Sequence, residues 1–309
     1  MISILLSTYN GQEYIIEQLE SLKNQTQLAD EVIIIDDCST DLTYYKIETF
    51  IKDNNLSNNW KIIKNNKNIG YKKSFKKGLQ YVNGDIIFFC DQDDIWLSDK
   101  IHDLVNILEQ NKWMKVLATS VSHFYPDNRT VLEGNTDGQL NKIEYKNKKD
   151  FIAHPPGCAM VITRDYMLKI NKYYTETWAQ DEFFWRMATV DGVCGFYHKI
   201  YIKHRVSGKN VTSIRLSSIE ERERQARINS INYNKLLHYS KINGSNSMSK
   251  IIEYFSIGNE IRANFLKQKN IFDFIKLLLY YRKIFTTKKQ IFGDIYFLLK
   301  SRFFLYKEE

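Results

Sequence analysis

An apolar run that ends in a cluster of acids is the feature that most constrains this chain. Residues 86–90 read Ile-Ile-Phe-Phe-Cys, a pattern typical of a strand buried on both faces of a sheet. Three carboxylates follow at once, those of Asp91, Asp93 and Asp94. Close like charges repel one another, so we expect them where a cation or a ligand needs them. In open α/β sheets ligands bind beyond the carboxyl ends of the strands, which is where these acids fall.

These acids could either bind a metal ion or cap a helix. Carboxylate oxygens are the hard ligands that Mg²⁺ and Mn²⁺ prefer, which predicts one of these cations clamping a phosphorylated ligand. The alternative is that the acids only cap the following helix. Ser98 and Asp99 already supply capping groups just before Ile101, and this favours the metal site.

The chain around this segment alternates regularly between two patterns. Short apolar runs at residues 2–7, 32–35 and 60–64 alternate with segments whose apolar residues recur every three or four positions. Alternation of this kind up to about Val121 predicts an α/β domain with a mixed, mostly parallel central sheet and helices on both sides. The glycines form neither a dinucleotide-binding fingerprint nor a Walker phosphate loop, so those two classes of nucleotide site are excluded.

The pattern changes after Ser218 to long helical segments. We predict helices over residues 219–238, 248–268 and 271–285. The chain is therefore expected to divide into a domain over residues 1–215 and a C-terminal helical region over residues 216–309. The last predicted helix mixes aromatic with basic residues, which suits either a helix lying in a membrane interface or a cap packed on the main domain.

Charge and cysteine content limit the partners and the compartment. The formal net charge of +8 predicts an anionic partner. The charges are scattered among acids and carry no nucleic-acid-binding motif, so no nucleic acid is expected. The four cysteines lack metal-type spacing and predict reduced thiols. With no basic leader and no apolar run of about 20 residues, we expect a cytoplasmic protein that is either soluble or lies at the inner face of the cell membrane.

Six sequence elements together resemble the family 2 inverting glycosyltransferases, which have the GT-A fold. The elements are Ser7-Thr8-Tyr9-Asn10, Asp36-Asp37-Cys38-Ser39-Thr40-Asp41, Asn68-Ile69-Gly70, Asp91-Gln92-Asp93, Gly157-Cys158-Ala159 and Gln180-Asp181-Glu182. The fourth of them is the DXD motif, and the resemblance covers roughly residues 2–212. The segment from Asp91 to Trp96 is most similar to the rhamnosyltransferase-type branch, which builds bacterial surface polysaccharides such as capsule and O-antigen.

The resemblance implies a metal-dependent inverting transfer of a hexosyl or rhamnosyl group. The donor would be a nucleotide-diphosphate sugar, UDP- or dTDP-linked, and the acceptor a hydroxyl of a growing, lipid-linked glycan. Asp93 would ligate Mg²⁺ or Mn²⁺ with Asp91, which would also face the ribose or the sugar. Asp181 would be the catalytic base. Its neighbour Glu182 remains an alternative, as does a purely structural acid at a helix N-terminus.

The resemblance also assigns residues to the two substrates. Nucleotide-sugar binding would use Thr8, Tyr9, Asn10, Asp37, Asn68, Gly70, Lys73, Asp91, Gln92, Arg205 and Lys209. The acceptor or sugar pocket would contain Gly157, Cys158, Trp178, Gln180, Glu182 and Trp185. Trp178 and Trp185 would supply an apolar platform for a sugar ring, although aromatic residues more often serve the core.

The chain departs from the family pattern at two places. Cys38 stands where the family usually has a glycine after its paired acids, so this turn forms without a permissive residue. Ser207 stands where the branch often has a histidine, with His204 three residues earlier. Which of the two replaces that histidine is left open, and with it the diphosphate contact of this loop.

Two alternative functions remain open in the sequence. A sugar-1-phosphate nucleotidyltransferase also uses acids at strand ends and a metal, but residues 7–12 lack its glycine-rich basic loop. The basic helical tail also suits a non-catalytic module that binds a nucleotide sugar and docks on a membrane. The sequence does not identify the sugar, the nucleotide, the linkage or the oligomeric state.

Overall fold

The structure is a computed structural model that describes residues 1–125, 127, 129–133, 136–148, 150–151, 154–206, 218–244, 246–285 and 287–305. The chain forms two compact units. One comprises Met1–Ile143 with His154–Gly208, and the other comprises Glu144–Ala153 with Lys209–Glu309. The predicted boundary at residue 215 lies outside the described residues.

The described part of the first unit alternates strands and helices along the chain. Its elements are β1 (Ile2–Thr8), α1 (Ile15–Lys23), β2 (Glu31–Asp36), α2 (Thr43–Asp53), β3 (Trp60–Lys64), α3 (Tyr71–Gly78), β4 (Ile86–Cys90), β5 (Ile95–Trp96), α4 (Lys100–Gln110), β6 (Val116–Phe124), β7 (Thr130–Glu133), β8 (Leu140–Lys142), β9 (Met160–Thr163), α5 (Arg164–Ile170), α6 (Gln180–Asp191) and β10 (Cys194–Arg205).

These strands form one mixed sheet, as the sequence predicts. The strand order is β3-β2-β1-β4-β9-β6-β10-β5, with β7 paired to β6 and β8 paired to β10. Strands β3, β2, β1 and β4 are parallel, whereas β9 runs antiparallel to β4 and β6. In the parallel part Leu5 lies between Ile33 and Phe89, and all three are buried. The carboxyl ends of β1, β2 and β4 therefore meet at one edge of the sheet.

Two strands differ from the sequence prediction. The sequence predicts separate strands over residues 193–197 and 201–203, but β10 runs through both with register shifts near Tyr197 and Ile200. A bulge inserts a residue and breaks the alternation of apolar positions, which is why one strand reads as two. The strand β5 has only two residues and pairs with β10, so its pattern is too short to recognise.

The second unit is helical, with α7 (Ile219–Asn243), α8 (Asn246–Gln268), α9 (Ile271–Tyr280) and α10 (Lys288–Leu305) in its described part. Phe151, from the earlier segment of this unit, is fully buried and stacks on Phe255 of α8 at a centroid distance of 4.5 Å. This packing assigns residues 144–153 to the helical unit, although the sequence predicts that they belong to the first domain. Among the described residues, no helix has the length and apolar character needed to cross a bilayer.

A buried ion cluster fixes α10 against the two long helices. Asp294 of α10 is fully buried and accepts hydrogen bonds from Arg262 Nε at 2.7 Å and Nη2 at 2.8 Å. It also accepts one from Arg222 Nη1 at 2.9 Å. Arg262 is itself buried, so its charge depends on this carboxylate for compensation. The sequence prediction did not include α10, because Gly293 and Asp294 interrupt its apolar pattern.

We predict that Asp294→Asn destabilises the helical unit by about 3–5 kcal/mol, because it leaves the guanidinium of Arg262 buried without a counter-charge. Chemical denaturation followed by circular dichroism would measure the loss. The control is Glu223→Gln, which breaks an ion pair with Arg227 one turn away on α7. That change should cost only about 0.3–0.5 kcal/mol. Equal and small effects of both variants would contradict the assignment.

Candidate active site

The side chain of Gln92 joins the ends of β1 and β4. Its Oε1 accepts hydrogen bonds from Thr8 Oγ1 at 2.7 Å and from the backbone N–H of Tyr9 at 2.8 Å. Its Nε2 donates to the backbone carbonyl of Tyr9 at 3.2 Å. A Cβ at Gly11 would lie 2.4 Å from Gln92 Oε1, so a glycine is needed for this close approach. The structure thus brings together the predicted residues of the first and fourth motifs.

Asp37 connects the end of β2 to both of its neighbours. Its backbone N–H donates to the carbonyl of Thr8 at 2.8 Å. Its Oδ1 accepts from Asn65 Nδ2 at 2.8 Å and from the N–H of Ile69 at 2.9 Å, and its Oδ2 accepts from the N–H of Gly70 at 2.7 Å. Gly70 has φ +86°, a conformation that favours glycine. The buried carboxylate therefore shapes the loop that precedes α3, and Asn65 is a partner that the sequence did not reveal.

The turns after β1 and β2 are held to each other. Asn10 Oδ1 accepts from the N–H of Thr40 at 2.9 Å, and the N–H of Asn10 donates to Ser39 Oγ at 3.0 Å. Cys38 adopts φ +63° at the position where the family usually has a glycine. A non-glycine residue in this region costs about 1–2 kcal/mol, which the surrounding hydrogen bonds must offset. The turn keeps a left-handed conformation with the side chain present.

The remaining predicted residues near α3 lie at its N-terminal end. Asn68 Oδ1 accepts from the N–H of Gly70 at 3.1 Å. Lys73 is exposed and pairs with Glu176, with Nζ and Oε2 3.1 Å apart. In this structure its charge is directed to that glutamate.

The carboxylates after β4 are crowded and partly buried. Burial raises the pKa of Asp91 to about 8, and the charges of Asp94 and Asp93 add to the effect. Burial and the charge of Asp94 raise the pKa of Asp93 to about 6. Both shifts show that these groups resist ionising together. A divalent cation among them would remove that resistance, so the donor set fits a metal with oxygen ligands.

Asp94 lies beneath this cluster and is bound to the end of β10. It is fully buried, and its Oδ1 lies 2.9 Å from His204 Nδ1 and accepts from the N–H of Arg205 at 3.1 Å. Burial alone would lower the pKa of His204, but the hydrogen bond to Asp94 and the nearby acids outweigh it and raise the pKa to about 9. An imidazolium therefore balances one of the three acids. The sequence placed Asp94 among the acids expected to serve a cation and left His204 as one candidate for the family's histidine, but it did not predict that the two side chains are paired.

The side chain of Arg205 is engaged with its own chain. Its Nε donates to the backbone carbonyl of Asp93 at 2.9 Å. Its guanidinium lies 4.4 Å from the ring centroid of Tyr14 and 4.3 Å from that of Phe124, and it pairs with Glu17. Arg205 thereby holds the acidic loop, and a diphosphate contact would need some of these interactions to be exchanged. Ser207 and Lys209 lie outside the described residues.

A buried lysine is the residue that the sequence concealed most completely. Lys100, at the start of α4, is fully buried. Its Nζ donates to the carbonyl of Cys158 at 2.6 Å and lies 3.3 Å from the ring centroid of Trp96. Burial lowers its pKa to about 7, although the nearby acids Asp94 and Asp91 oppose the shift. A lysine in the first turn of a helix usually faces solvent, so the sequence gave no signal for this one.

The first turn of α6 carries the predicted catalytic acids. Asp181 Oδ1 accepts from the N–H of Glu182 at 2.7 Å, and burial raises the pKa of Asp181. Glu182 Oε1 lies 3.4 Å from Nε and from Nη2 of Arg186, which is buried. Because Glu182 is the counter-ion of Arg186, the geometry favours Asp181 over Glu182 as a base. The charge of Asp181 also contributes to the raised pKa of Asp91, which places the two acids in one electrostatic environment.

The loop before β9 packs against this turn. A Cβ at Gly157 would lie 2.9 Å from Gln180 Nε2 and 3.4 Å from Asp181 Cβ, so the approach is close. Gly157, Cys158 and Gln180 are all buried. In this structure they support Asp181 and are not exposed to an acceptor.

The predicted aromatic platform is wrong as a surface feature. Trp178 and Trp185 are only 1% and 4% exposed. Trp178 packs edge-on against Phe183 at 5.5 Å, and Trp185 packs edge-on against Phe196 at 6.5 Å. The cause is that α6, which carries Trp185, is buried over most of its circumference, and that Trp178, just before this helix, packs on it through Phe183.

Comparisons with known proteins identify the family of this chain. The model of glycosyl transferase family 2 matches residues 3–170. The dTDP-rhamnosyl transferase RfbG of Shigella flexneri is 33% identical over 172 residues, which is 54% of this chain and 57% of RfbG. The Escherichia coli enzyme WfaP, a UDP-Glc:α-D-GlcNAc-diphosphoundecaprenol β-1,3-glucosyltransferase, is 33% identical over 134 residues, 43% of this chain and 50% of WfaP. Each match thus spans little more than half of the relative.

Solved structures share the fold at low identity. Staphylococcus aureus TarS 1-349 in complex with UDP superposes with a TM-score of 0.60 and 20% identity, covering 91% of each chain. The mannosyltransferase PcManGT from Pyrobaculum calidifontis, in complex with GDP-Man and Mn²⁺, gives a TM-score of 0.56 at 14% identity, covering 96% of this chain and 86% of that one. With a family model that matches more than half of its length, this chain belongs to glycosyl transferase family 2.

Proposed function

We propose that this glycosyltransferase moves a sugar from a nucleoside diphosphate donor to a hydroxyl of a growing bacterial surface glycan, with inversion at the anomeric carbon. The observation that carries the proposal is the crowding of Asp91 and Asp93 beside the ends of β1 and β2. Asp181 shares the electrostatic environment of that cluster. A nucleotide diphosphate, a cation and a general base would then meet at one edge of the sheet.

The donor would bind across the ends of β1 and β2. Thr8, Tyr9 and Asn10 lie at the first of these ends, and Asp37 holds the loop that contains Gly70 at the second. Tyr9 and Asn10 are exposed residues at this turn and would contact the base and ribose of a nucleotide. The names of RfbG and WfaP and the UDP of the TarS complex support a dTDP- or UDP-linked sugar.

Asp93 and Asp91 would hold a divalent cation, Mg²⁺ or Mn²⁺. Burial and the neighbouring acids raise the pKa of both groups, a cost that a divalent cation would relieve, and carboxylate oxygens suit either ion. The Mn²⁺ in the PcManGT complex supports the same choice. When bound, the cation would neutralise charge that develops on the departing diphosphate.

Asp181 would remove the proton of the acceptor hydroxyl as that oxygen attacks the anomeric carbon. Burial moves its pKa upward, toward the range in which a carboxylate is an effective base. A single displacement of this kind inverts the anomeric configuration, whereas retention through a covalent intermediate requires a second carboxylate as nucleophile. A lipid-linked acceptor is supported by the printed name of WfaP, which acts on a sugar-diphosphoundecaprenol.

We predict that Asp181→Asn lowers transfer by about 10²–10⁴-fold because the hydroxyl loses its general base. Binding of the nucleotide sugar should stay nearly unchanged in this variant, as measured by its thermal shift. In the wild type the rate should fall as pH decreases through the pKa of Asp181, so this acid limb should lie above the ordinary aspartate value of 3.8.

The matched variant for this experiment is Glu182→Gln, which changes the adjacent acid of the same helical turn. It should retain most of the activity if it still folds, because Glu182 serves Arg186 in the structure. Full transfer by Asp181→Asn would refute the assignment of the base. If Glu182→Gln alone lost transfer activity with an unchanged melting temperature, Glu182 would be the general base.

We predict that Mn²⁺ with the correct donor raises the melting temperature, and that EDTA or Asp93→Ala abolishes the gain. A panel of UDP-, GDP- and dTDP-sugars would identify the donor. Protons compete with the cation for Asp91 and Asp93, whose pKa values are about 8 and about 6. The Mn²⁺-dependent shift should therefore be larger at pH 8 than at pH 6. Asp165→Asn, at an exposed carboxylate of α5, is the control, and indifference to EDTA would count against the metal.

A further inference from the structure

Helix α9 exposes an apolar stripe. Five of its aliphatic and phenylalanine side chains are 37% to 75% exposed, namely Ile271, Phe272, Ile275, Leu278 and Leu279. At 100° per residue these five positions fall within about one third of the helix circumference. These five residues therefore form one continuous apolar face, and the exposed Tyr280 at the end of the helix lies outside it.

The opposite side of α9 is packed. Leu277 is fully buried, and Phe274 stacks on Phe265 of α8 at a centroid distance of 5.0 Å. The helix is thus anchored through one apolar face while a second one is exposed. A helix that served only as a cap would present polar residues on its outer side.

Helix α10 repeats this arrangement. The buried pairing of Asp294 with Arg262 fixes its rotation. Phe292, Tyr296 and Leu299 follow at spacings of four and three residues and are 68%, 58% and 48% exposed. Residues at this spacing lie on one face of a helix. The ion pair thereby directs an aromatic and aliphatic face outward.

Basic residues border both faces. Residues 271–300 contain six basic and two acidic side chains. The exposed basic residues include Lys276, Arg282, Lys283, Lys288 and Lys289. Of the two acids, Asp294 is buried in its ion cluster, so its charge is already balanced. Protein–protein interfaces are depleted of lysine, whereas an apolar helix face flanked by lysine and arginine suits a membrane surface with anionic lipids.

We propose that the exposed faces of α9 and α10 dock on a bilayer that contains anionic phospholipids. The apolar side chains enter the boundary between headgroups and acyl chains, and the basic residues contact lipid phosphates. The contact is peripheral, in keeping with the absence of a membrane-spanning helix among the described residues. This inference goes beyond the proposed transfer reaction and does not depend on it.

The test is co-sedimentation of the full chain with sucrose-loaded vesicles. Vesicles of phosphatidylcholine with 30% phosphatidylglycerol are compared with vesicles of phosphatidylcholine alone, at 0.1 M and 0.5 M NaCl. We expect at least tenfold stronger binding to the anionic vesicles, and weaker binding at the higher salt concentration because ions screen the basic residues. Vesicle binding is read without any activity assay, so a failure here is distinct from a failure of the proposed reaction.

Two double variants separate this surface from general hydrophobicity. Phe272→Ser with Leu279→Ser should weaken binding to anionic vesicles at least tenfold. Leu28→Ser with Leu168→Ser removes two exposed leucines from the first unit and should leave it unchanged. Circular dichroism and melting temperature verify that both variants fold, and Lys288→Glu with Lys289→Glu tests the charges independently.

Three results would overturn the proposal. One is that the wild type does not sediment with anionic vesicles. Another is that the Phe272→Ser, Leu279→Ser variant and the Leu28→Ser, Leu168→Ser variant lose vesicle binding equally. The third is a wild type that is dimeric by light scattering, becomes monomeric in the Phe272→Ser, Leu279→Ser variant and shows no vesicle binding, which would assign this face to a second copy of the chain.

Discussion

Electrostatic repulsion at the end of β4 is the constraint on which the rest of the first unit depends. Three aspartates within four residues cannot all be ionised cheaply in a partly buried site, and the raised pKa values of Asp91 and Asp93 express that cost. The fold supplies part of the compensation from distant parts of the chain. His204 comes from β10, and its raised pKa of about 9 keeps an imidazolium beside Asp94. Lys100 comes from α4, but burial lowers its pKa to about 7, so it contributes only part of a positive charge at neutral pH. The negative charge of the aspartates that these two residues do not balance is available to a bound cation.

The strand ends around this cluster are held by hydrogen bonds between side chains and backbone. The carboxylate of Asp37 accepts hydrogen bonds from the loop before α3, and Asn10 joins the turns after β1 and β2. A site assembled in this way is largely formed before any ligand arrives, which lowers the ordering cost of binding. The proposed metal and nucleotide would enter a framework that the chain already maintains.

The sequence predicted those parts of the structure that depend on local pattern. The mixed sheet and the acids after β4 follow from apolar runs that end in polar turns, and both are present. It failed where long-range packing decides the outcome. The sequence places Trp178 in a sugar platform beside acids, yet its ring is buried and packs on Phe183 of α6. Lys100 reads as a solvent-exposed lysine, yet its ammonium group lies over Trp96 inside the core. Neither fact can be deduced from neighbouring residues.

Gln92, which separates Asp91 from Asp93, has a further structural role. Gln92 uses both ends of its amide at once, as acceptor for Thr8 and Tyr9 and as donor to the same tyrosine. A glutamate there would set a second negative oxygen against a carbonyl, and an aliphatic side chain would leave three polar groups unsatisfied. The spacer of the predicted DXD motif is therefore a structural brace in this enzyme. The uncharged side chain of Gln92 sets the distance between the two aspartates and the turn after β1. Because this side chain carries no charge, neither the binding nor the loss of a cation would displace it electrostatically.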